Sequence, residues 1–292
     1  MSQLEFFPSS GVALRPSGAL VEKAFKLLAT GPCSTEKLAE EVLHLRGNPQ
    51  AAAAAVFTLL GTDPRLRVDH SGVWSLDTVD RKAHRGALAD QEWVVVDVET
   101  TGGSVAHGHR LIEVAAVTIR GGAVAERYST LVNPGRPVPR MITSLTGISQ
   151  EMVAGAPRFY EVVDEIEKEL LGRVFVGHNA GFDWRFLSVE MERCRGMGLS
   201  GPRVCTLRLA RRLVSHLPSR SLGALANYFG IPMDVHHRAL DDALATAHLL
   251  IRFLGMLEDQ GVYTWADLDG FFRRPRPRRR KRSAFPRPLD AA

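Results

Sequence analysis

A run of β-branched residues that ends in two acidic side chains is the feature that most limits how this chain folds. Val94–Val96 form an uninterrupted apolar stretch, which is typical of a strand buried on both faces of a sheet. Asp97 and Glu99 follow two positions apart, so both carboxylates project from the same face of the strand. Two like charges this close raise at least one pKa unless a cation lies between them. Oxygen ligands at a strand end suit Mg²⁺ or Mn²⁺, and a solvated strand end is the alternative.

A second segment places polar residues at the junction of a strand and a helix. His178 and Asn179 follow the predicted strand Val174–Gly177 and can bind backbone or substrate phosphate. Asp183 falls in the first turn of the next helix, where the helix dipole favours an anion. Taken alone, the segment has an ordinary explanation as a turn and an N-terminal helix acid.

A third segment, His236–Asp242, opens a long helix whose apolar residues mark a core-facing side. Asp242 flanks that apolar stripe and can reach the edge of the sheet. His237 lies in the loop just before the helix, from which an imidazole can address a water molecule. A lone histidine is usually structural, but here it accompanies four carboxylates.

Together the three segments resemble the DnaQ-like, or DEDDh, 3′–5′ exonuclease family. The family pattern has DxE on the first strand, HNAxFD in the middle and HxAxxD near the end. This chain carries Asp97-Val98-Glu99, His178–Asp183 and His237–Asp242 in that order. Only His237 has an alanine two positions on and an aspartate five positions on, so His236 and Asp241 are interpreted as bystanders.

The resemblance implies a phosphodiester hydrolase that uses two ions of Mg²⁺ or Mn²⁺ and releases nucleoside 5′-monophosphates from a single-stranded 3′ end. Neutral His237 would accept the proton of the attacking water. The implied metal ligands are Asp97, Glu99, Asp183 and Asp242. The implied substrate contacts are the backbone near Thr100 and Thr101, a wedge at Ile148, and the polar pair His178 and Asn179.

Composition divides the chain into five parts. We expect a flexible arm at 1–16, a small helical domain at 17–80, a polar linker at 81–91, the exonuclease domain at 92–257 and a basic, mostly disordered tail at 258–292. In the small domain, three helices and a two-stranded hairpin resemble the winged helix-turn-helix. Its third helix has Gln50 as the only basic or amide side chain of the kind typical of a helix that reads DNA. Protein docking, or loose binding to the nucleic-acid backbone through Arg65 and Arg67, is therefore at least an equal alternative.

Within the exonuclease domain, three strands joined by tight turns precede alternating helices and a further strand, which predicts a mixed α/β sheet flanked by helices. The resemblance implies that this sheet is RNase H-like. The predicted strands are Trp93–Val98, Leu111–Arg120, Ala125–Val132 and Val174–Gly177. The predicted helices are Thr143–Val153, Tyr160–Leu171, Asp183–Cys194, Leu207–Val214, Leu222–Phe229 and Ala239–Leu257.

The formal net charge of +5 is a property of the C-terminus. Residues 271–292 hold nine Lys or Arg and one acidic residue, which leaves 28 basic and 31 acidic side chains in residues 1–270. Such a tail would attract phosphate backbones without sequence preference, or would act only as a solubilising segment. No apolar run is long enough to span a bilayer, and three cysteines without CxxC spacing favour a reducing cytoplasm.

The arm contains Gln3, Leu4, Phe6 and Phe7 in the order QLEFF, which is similar to the QLxLF peptide of sliding-clamp partners. A chance apolar cluster is the alternative. These features predict a DNA exonuclease of replication proofreading or repair, with DNA polymerase III and the sliding clamp as candidate partners. An RNA 3′-end trimming enzyme and a binding scaffold with minor nuclease activity are the alternatives. The metal-site residues do not separate DNA from RNA, because metal ions contact only phosphate.

Overall fold

A computed structural model describes residues 11–16, 18–61, 63, 65–76, 86–233 and 238–274 of the chain. The predicted arm motif at residues 3–7, the histidines His236 and His237 and the basic segment 275–292 lie outside these residues. None of the helices in the described ranges is both long enough and apolar enough to cross a membrane.

A five-stranded mixed sheet forms the centre of the larger domain. Its strands are β5 (Trp93–Thr100), β6 (Leu111–Arg120), β7 (Ala123–Leu131), β8 (Val174–Gly177) and β10 (Arg203–Cys205). They lie in the order β10-β8-β5-β6-β7. Strand β5 is central, antiparallel to β6 and parallel to β8. The mixed α/β sheet predicted from the sequence is confirmed.

Helices cover both faces of this sheet. The helices are α4 (Arg140–Thr146), α5 (Gln150–Ala154), α6 (Phe159–Leu170), α7 (Gly181–Arg195), α8 (Thr206–Leu213), α9 (Leu222–Phe229), α10 (Ala239–Glu258) and α11 (Trp265–Arg273). Residues of α8 to α11 pack with Trp93 and Val95 on one face of β5. Residues of α6 and α7 pack with Val94 and Val96 on the other. This burial on both faces explains the uninterrupted apolar run of β5.

The small domain contains α1 (Ala19–Leu28), β2 (Cys33–Ser34), α2 (Thr35–Glu41), α3 (Pro49–Leu60), β3 (Leu66–Val68) and β4 (Val73–Leu76). Its strands form a three-stranded antiparallel sheet in the order β2-β4-β3 around the buried Trp74. Ser34 caps α2 and Asn48 caps α3, because each side chain accepts a hydrogen bond from a first-turn N–H. The sequence resembles a winged helix in this element order, and that assignment stays a prediction.

Two predicted boundaries are wrong. Residues of the supposed flexible arm form β1 (Ala13–Pro16), which pairs antiparallel with β9 (Met197–Ser200). Gly11 fits there because a Cβ would lie 2.0 Å from the carbonyl carbon of Gly172. At the other end, α11 extends the folded domain beyond residue 257.

The helix α11 belongs to the core because Leu268 and Phe271 are buried against the α10 side of the sheet. Two smaller differences concern element bounds. The single helix predicted over Thr143–Val153 is two helices, separated at Gly147, whose φ of 72° is left-handed. The short strands β2, β9 and β10 were not predicted.

Candidate active site

The end of strand β5 places Asp97 and Glu99 on the face covered by α10. Both side chains are half-buried, and the register against β6 shifts between Glu99 and Thr100. Such a bulge bends the strand and breaks its pairing, which is common beside active sites. The two carboxylates therefore lie where the regular sheet ends and are open to a ligand.

Helix α10 brings a third carboxylate to this pair. Asp242, in the first turn of the helix, is 7% exposed. One carboxylate oxygen each from Asp97, Glu99 and Asp242 lie within 4.8 Å of one another. The neighbouring Asp241 is not in this group. The family pattern predicts Asp242 rather than Asp241 as the metal ligand, and Asp242 is the aspartate found beside Asp97 and Glu99.

Asp183 reaches the same cluster from the opposite face of the sheet. It is buried in the first turn of α7, and its Oδ1 accepts a hydrogen bond from the Val98 backbone N–H at 3.2 Å. Strand β8 pairs with β5 only as far as Val95. Beyond that point, the Asp183 carboxylate rather than a β8 carbonyl accepts the hydrogen bond from the Val98 N–H. Gly177 allows this close approach, because a Cβ there would lie 3.1 Å from Asp183 Oδ2.

Burial raises the pKa values of Asp97, Glu99 and Asp183, and repulsion by neighbouring carboxylates adds to the rise at Asp97 and Glu99. Burial and then the charge of Asp183 raise the pKa of Asp97 well above its usual range. Burial followed by the charge of Asp242 raises the pKa of Glu99 to about 8. Burial also raises the pKa of Asp183 to about 7, although backbone N–H groups, including that of Val98, oppose the shift. The group is held together against its own charge.

This donor set fits a divalent cation with a preference for oxygen. A cation between Asp97, Glu99 and Asp242 would offset both the burial of these carboxylates and their repulsion. Carboxylate oxygens are the ligands favoured by Mg²⁺ and Mn²⁺. The site therefore suits the ions that the sequence resemblance implies.

The structure gives His178 a different role from the one predicted. Its Nδ1 lies 2.9 Å from the Thr206 hydroxyl and its Nε2 lies 3.0 Å from the Arg220 carbonyl oxygen. Burial lowers the pKa of the ring, so it is neutral, donating to Arg220 and accepting from Thr206. Both nitrogens are engaged within the protein. In this arrangement neither ring nitrogen faces a ligand, and the phosphate contact of His178 stays a prediction.

Asn179 is placed differently. It is exposed, with a left-handed φ of 81°, a conformation that asparagine tolerates better than most residues. Its backbone carbonyl accepts a hydrogen bond from Phe182 N–H as helix α7 begins. An Asn179 contact with substrate stays a prediction.

The Thr100–Thr101 segment is more enclosed than predicted. Both threonines are buried, and the Thr101 N–H donates to the Arg110 carbonyl oxygen at 2.9 Å. The Thr101 backbone amide is therefore not available to a nucleotide here. Gly102 follows with a φ of 156°, and a Cβ at that position would lie 2.4 Å from the His109 ring.

Ile148 is fully buried against Ile112, Ile142 and Val153, so its side chain has no surface with which to contact a base. In this arrangement Ile148 is a core residue, and its contact with a base stays a prediction. The exposed apolar side chains of the same segment are Met141, at 76%, and Leu145, at 51%, one helical turn apart on α4. The motif located the segment but not the residue that faces outward.

A further buried carboxylate, Glu113, lies outside the three sequence motifs and is 1% exposed. It lies on β6 directly opposite Glu99, and it accepts hydrogen bonds from the Arg238 side chain and the Ala239 N–H. A signal was present, since Glu113 is the one charged residue in the apolar stretch Leu111–Ile119.

Residues 94–250, more than half of the chain, match the RNase T-type exonuclease family. The chain belongs to this exonuclease family. A putative bifunctional exonuclease/endonuclease protein of Mycobacterium tuberculosis (strain CDC 1551 / Oshkosh) is 40% identical over 192 residues, covering 63% of this chain and 30% of that protein. The DNA polymerase III epsilon subunit of Aquifex aeolicus (strain VF5) is 38% identical over 170 residues, covering 58% of this chain and 84% of the subunit.

Among solved structures, E. coli Exonuclease I in complex with a dT13 oligonucleotide has a TM-score of 0.51 and 18% sequence identity. The match covers 59% of this chain and 42% of that one. This likeness concerns the fold alone, and the predicted RNase H-like exonuclease fold is confirmed. The match spans less than a third of the length of the mycobacterial relative.

We expect Asp97→Asn to stabilise the metal-free protein, because it replaces a buried carboxyl group, whose ionisation is opposed by burial and by neighbouring carboxylates, with a neutral group of similar shape. In EDTA the melting temperature should rise, by about 2–4 °C for each kcal/mol of repulsion removed. The rise in melting temperature that excess Mn²⁺ gives the wild type should be largely lost. Thermal unfolding followed by circular dichroism measures both effects. Asp241→Asn is the matched control and should leave both unchanged; a lower melting temperature of Asp97→Asn in EDTA would contradict the repulsion.

Proposed function

We propose that this protein is a metal-dependent 3′–5′ exonuclease that removes nucleoside 5′-monophosphates from DNA in replication proofreading or repair. The observation that carries the proposal is the convergence of Asp97, Glu99 and Asp242 within 4.8 Å, with Asp183 bound to the intervening Val98 N–H. Membership of the exonuclease family and the similarity to an epsilon subunit support the choice of reaction and substrate.

In the proposed reaction, Asp97, Glu99 and Asp242 would hold one divalent ion, and Asp97 with Asp183 would hold a second. Bound divalent ions lower the pKa of a water molecule and offset the negative charge that builds up on the phosphate. Asp183 keeps its orientation through the Val98 N–H, and Asp242 is oriented by the first turn of α10. A ring nitrogen of neutral His237 accepts the proton of the attacking water, a role taken from the family resemblance.

Paired substitutions of the doubled residues test these roles. We expect His237→Ala to lower kcat for release of mononucleotides by about 10²–10⁴-fold, the usual contribution of a general base. Asp242→Asn should abolish turnover, because it removes a metal ligand. The matched controls His236→Ala and Asp241→Asn should keep wild-type rates within about threefold. Rates are measured on a 3′-labelled single strand with Mg²⁺ or Mn²⁺, and with EDTA as the blank. Wild-type turnover by His237→Ala or Asp242→Asn would refute the assignment.

The choice of DNA is tested on four 3′-labelled substrates in one buffer: single-stranded, matched and mismatched duplex DNA, and single-stranded RNA. For a proofreading enzyme we expect the largest kcat/KM on single-stranded and mismatched DNA, because a frayed terminal nucleotide reaches the site without the cost of unpairing. A larger kcat/KM on RNA would assign the protein to RNA 3′-end trimming. Absence of EDTA-sensitive turnover on all four would leave a binding or scaffold protein.

The partner in replication is proposed from the arm. The QLEFF sequence at residues 3–7 is similar to clamp-binding peptides, and the relatives include a DNA polymerase III subunit. We expect the first sixteen residues, fused to a carrier protein, to retain a bacterial sliding clamp in a pull-down. Replacing Leu4, Phe6 and Phe7 by alanine in the same fusion should abolish retention, since these are the apolar anchors. Equal retention by both fusions, or by neither, would remove the clamp from the proposal.

A further inference from the structure

Glu113 lies beside the carboxylate cluster without being part of it. In the antiparallel pair of β5 and β6, Glu113 is the direct partner of Glu99. Side chains at such paired positions point to the same face, with Cβ atoms about 4.5–5.5 Å apart. A fifth carboxylate is thus held next to the proposed metal ligands, at 1% exposure.

The oxygens of Glu113 are engaged by the start of α10. Arg238 Nη2 donates to Oε1 at 2.7 Å, and Arg238 Nε is 3.2 Å from both oxygens. The Ala239 backbone N–H donates to Oε2 at 3.0 Å. This two-pronged contact matches the planar guanidinium to the planar carboxylate, and it is stronger than a single charged hydrogen bond. Glu113 is therefore committed to Arg238 rather than to a metal ion.

Arg238 is also close to the metal-binding carboxylates. Its side chain is 38% exposed, and its charge opposes the rise in the Glu99 pKa. A guanidinium attracted to Glu99 would occupy the space that a divalent cation needs. Because Glu99 and Glu113 are neighbouring partners across the sheet, a small side-chain rotation would carry Arg238 from one to the other.

We propose that Glu113 is a positioning residue that holds the Arg238 guanidinium away from Glu99 and so keeps the carboxylate cluster open to divalent cations. The inference rests on the metal site of the proposed function. It assigns to Glu113 a role through Arg238, separate from its support of the first turn of α10 at Ala239. The two roles are separable, because glutamine at position 113 still accepts the Ala239 N–H but no longer attracts the guanidinium.

Binding of Mn²⁺ alone to the full chain, measured by isothermal titration calorimetry, tests this role without reference to nuclease activity. Glu113→Gln should raise the Mn²⁺ dissociation constant about tenfold, equivalent to about 1.4 kcal/mol, because the released Arg238 competes for Glu99. Arg238→Met should bind Mn²⁺ no more weakly than the wild type. In the double variant Glu113→Gln/Arg238→Met, from which the competing cation is absent, the affinity should return to within about threefold of wild type.

Recovery in the double variant distinguishes the proposal from a structural role. If Glu113→Gln and the double variant bind Mn²⁺ equally weakly, displacement of α10 explains the loss and the proposal fails. Wild-type affinity in Glu113→Gln also overturns it. Lack of Mn²⁺ binding by the wild type itself would instead remove the metal site of the proposed function, and this inference with it.

Glu190→Gln is the matched control, because Glu190 is also buried and also accepts two hydrogen bonds from one arginine. Arg110 Nε donates to Glu190 Oε1 at 2.5 Å, and Arg110 Nη2 donates to Oε2 at 2.8 Å. It should lower the melting temperature and leave Mn²⁺ affinity unchanged. An equal loss of affinity in this control would overturn the proposal.

Should Glu113→Gln fail to fold, Glu113→Asp keeps the charge but shortens the reach to Arg238. It should then weaken Mn²⁺ binding in the same direction, and unchanged affinity in folded Glu113→Asp would refute the role.

Discussion

Negative charge concentrated at the end of strand β5 is the constraint on which the larger domain depends. Asp97 and Glu99 come from the strand, Asp183 from α7 on one face and Asp242 from α10 on the other. Burial and repulsion both oppose the ionisation of these grouped carboxyl groups. The pKa values of Asp97 and Glu99 are raised for this reason. The sheet is packed on both faces, and this packing holds the two helices that bring Asp183 and Asp242 to the strand end. The apolar run Val94–Val96 is therefore as necessary to the site as its ligands.

Buried charge is treated in two different ways within this domain. Glu113 and Glu190 each form an ion pair with one arginine, Arg238 and Arg110 respectively, so their charges are balanced inside the protein. The Asp97 group instead accumulates charge that a bound cation can balance. A balanced pair stabilises one conformation, whereas an accumulated charge is a binding site. The distinction matters at Glu99 and Glu113, because the two carboxylates are adjacent and Arg238 can be drawn to either.

The sequence was sufficient for features that depend on local pattern. The alternation of strands and helices predicted the mixed sheet. The family pattern of the third motif selected Asp242, and Asp242 is the aspartate that lies with Asp97 and Glu99 in the structure. Prediction failed where the outcome depends on contacts distant in the chain. Strand β1 exists because β9 pairs with it, which no pattern within residues 13–16 indicates. Likewise, Ile148 and His178 lie within recognisable motifs, but their side-chain directions are set by tertiary packing and by hydrogen bonds to Thr206 and Arg220.

The attachment of the small domain limits what it can contribute to the chemistry. Strand β1 precedes the small domain and is bound to β9, which follows directly after the C-terminal end of α7. Asp183 lies at the opposite end of that 15-residue helix, about 20 Å away at 1.5 Å per residue. On the small-domain side of this attachment, Asp63 forms an ion pair with Arg65. The charge of Asp63 also acts on Arg15 of strand β1. The end of α7 to which β1 is attached is therefore remote from the carboxylate cluster.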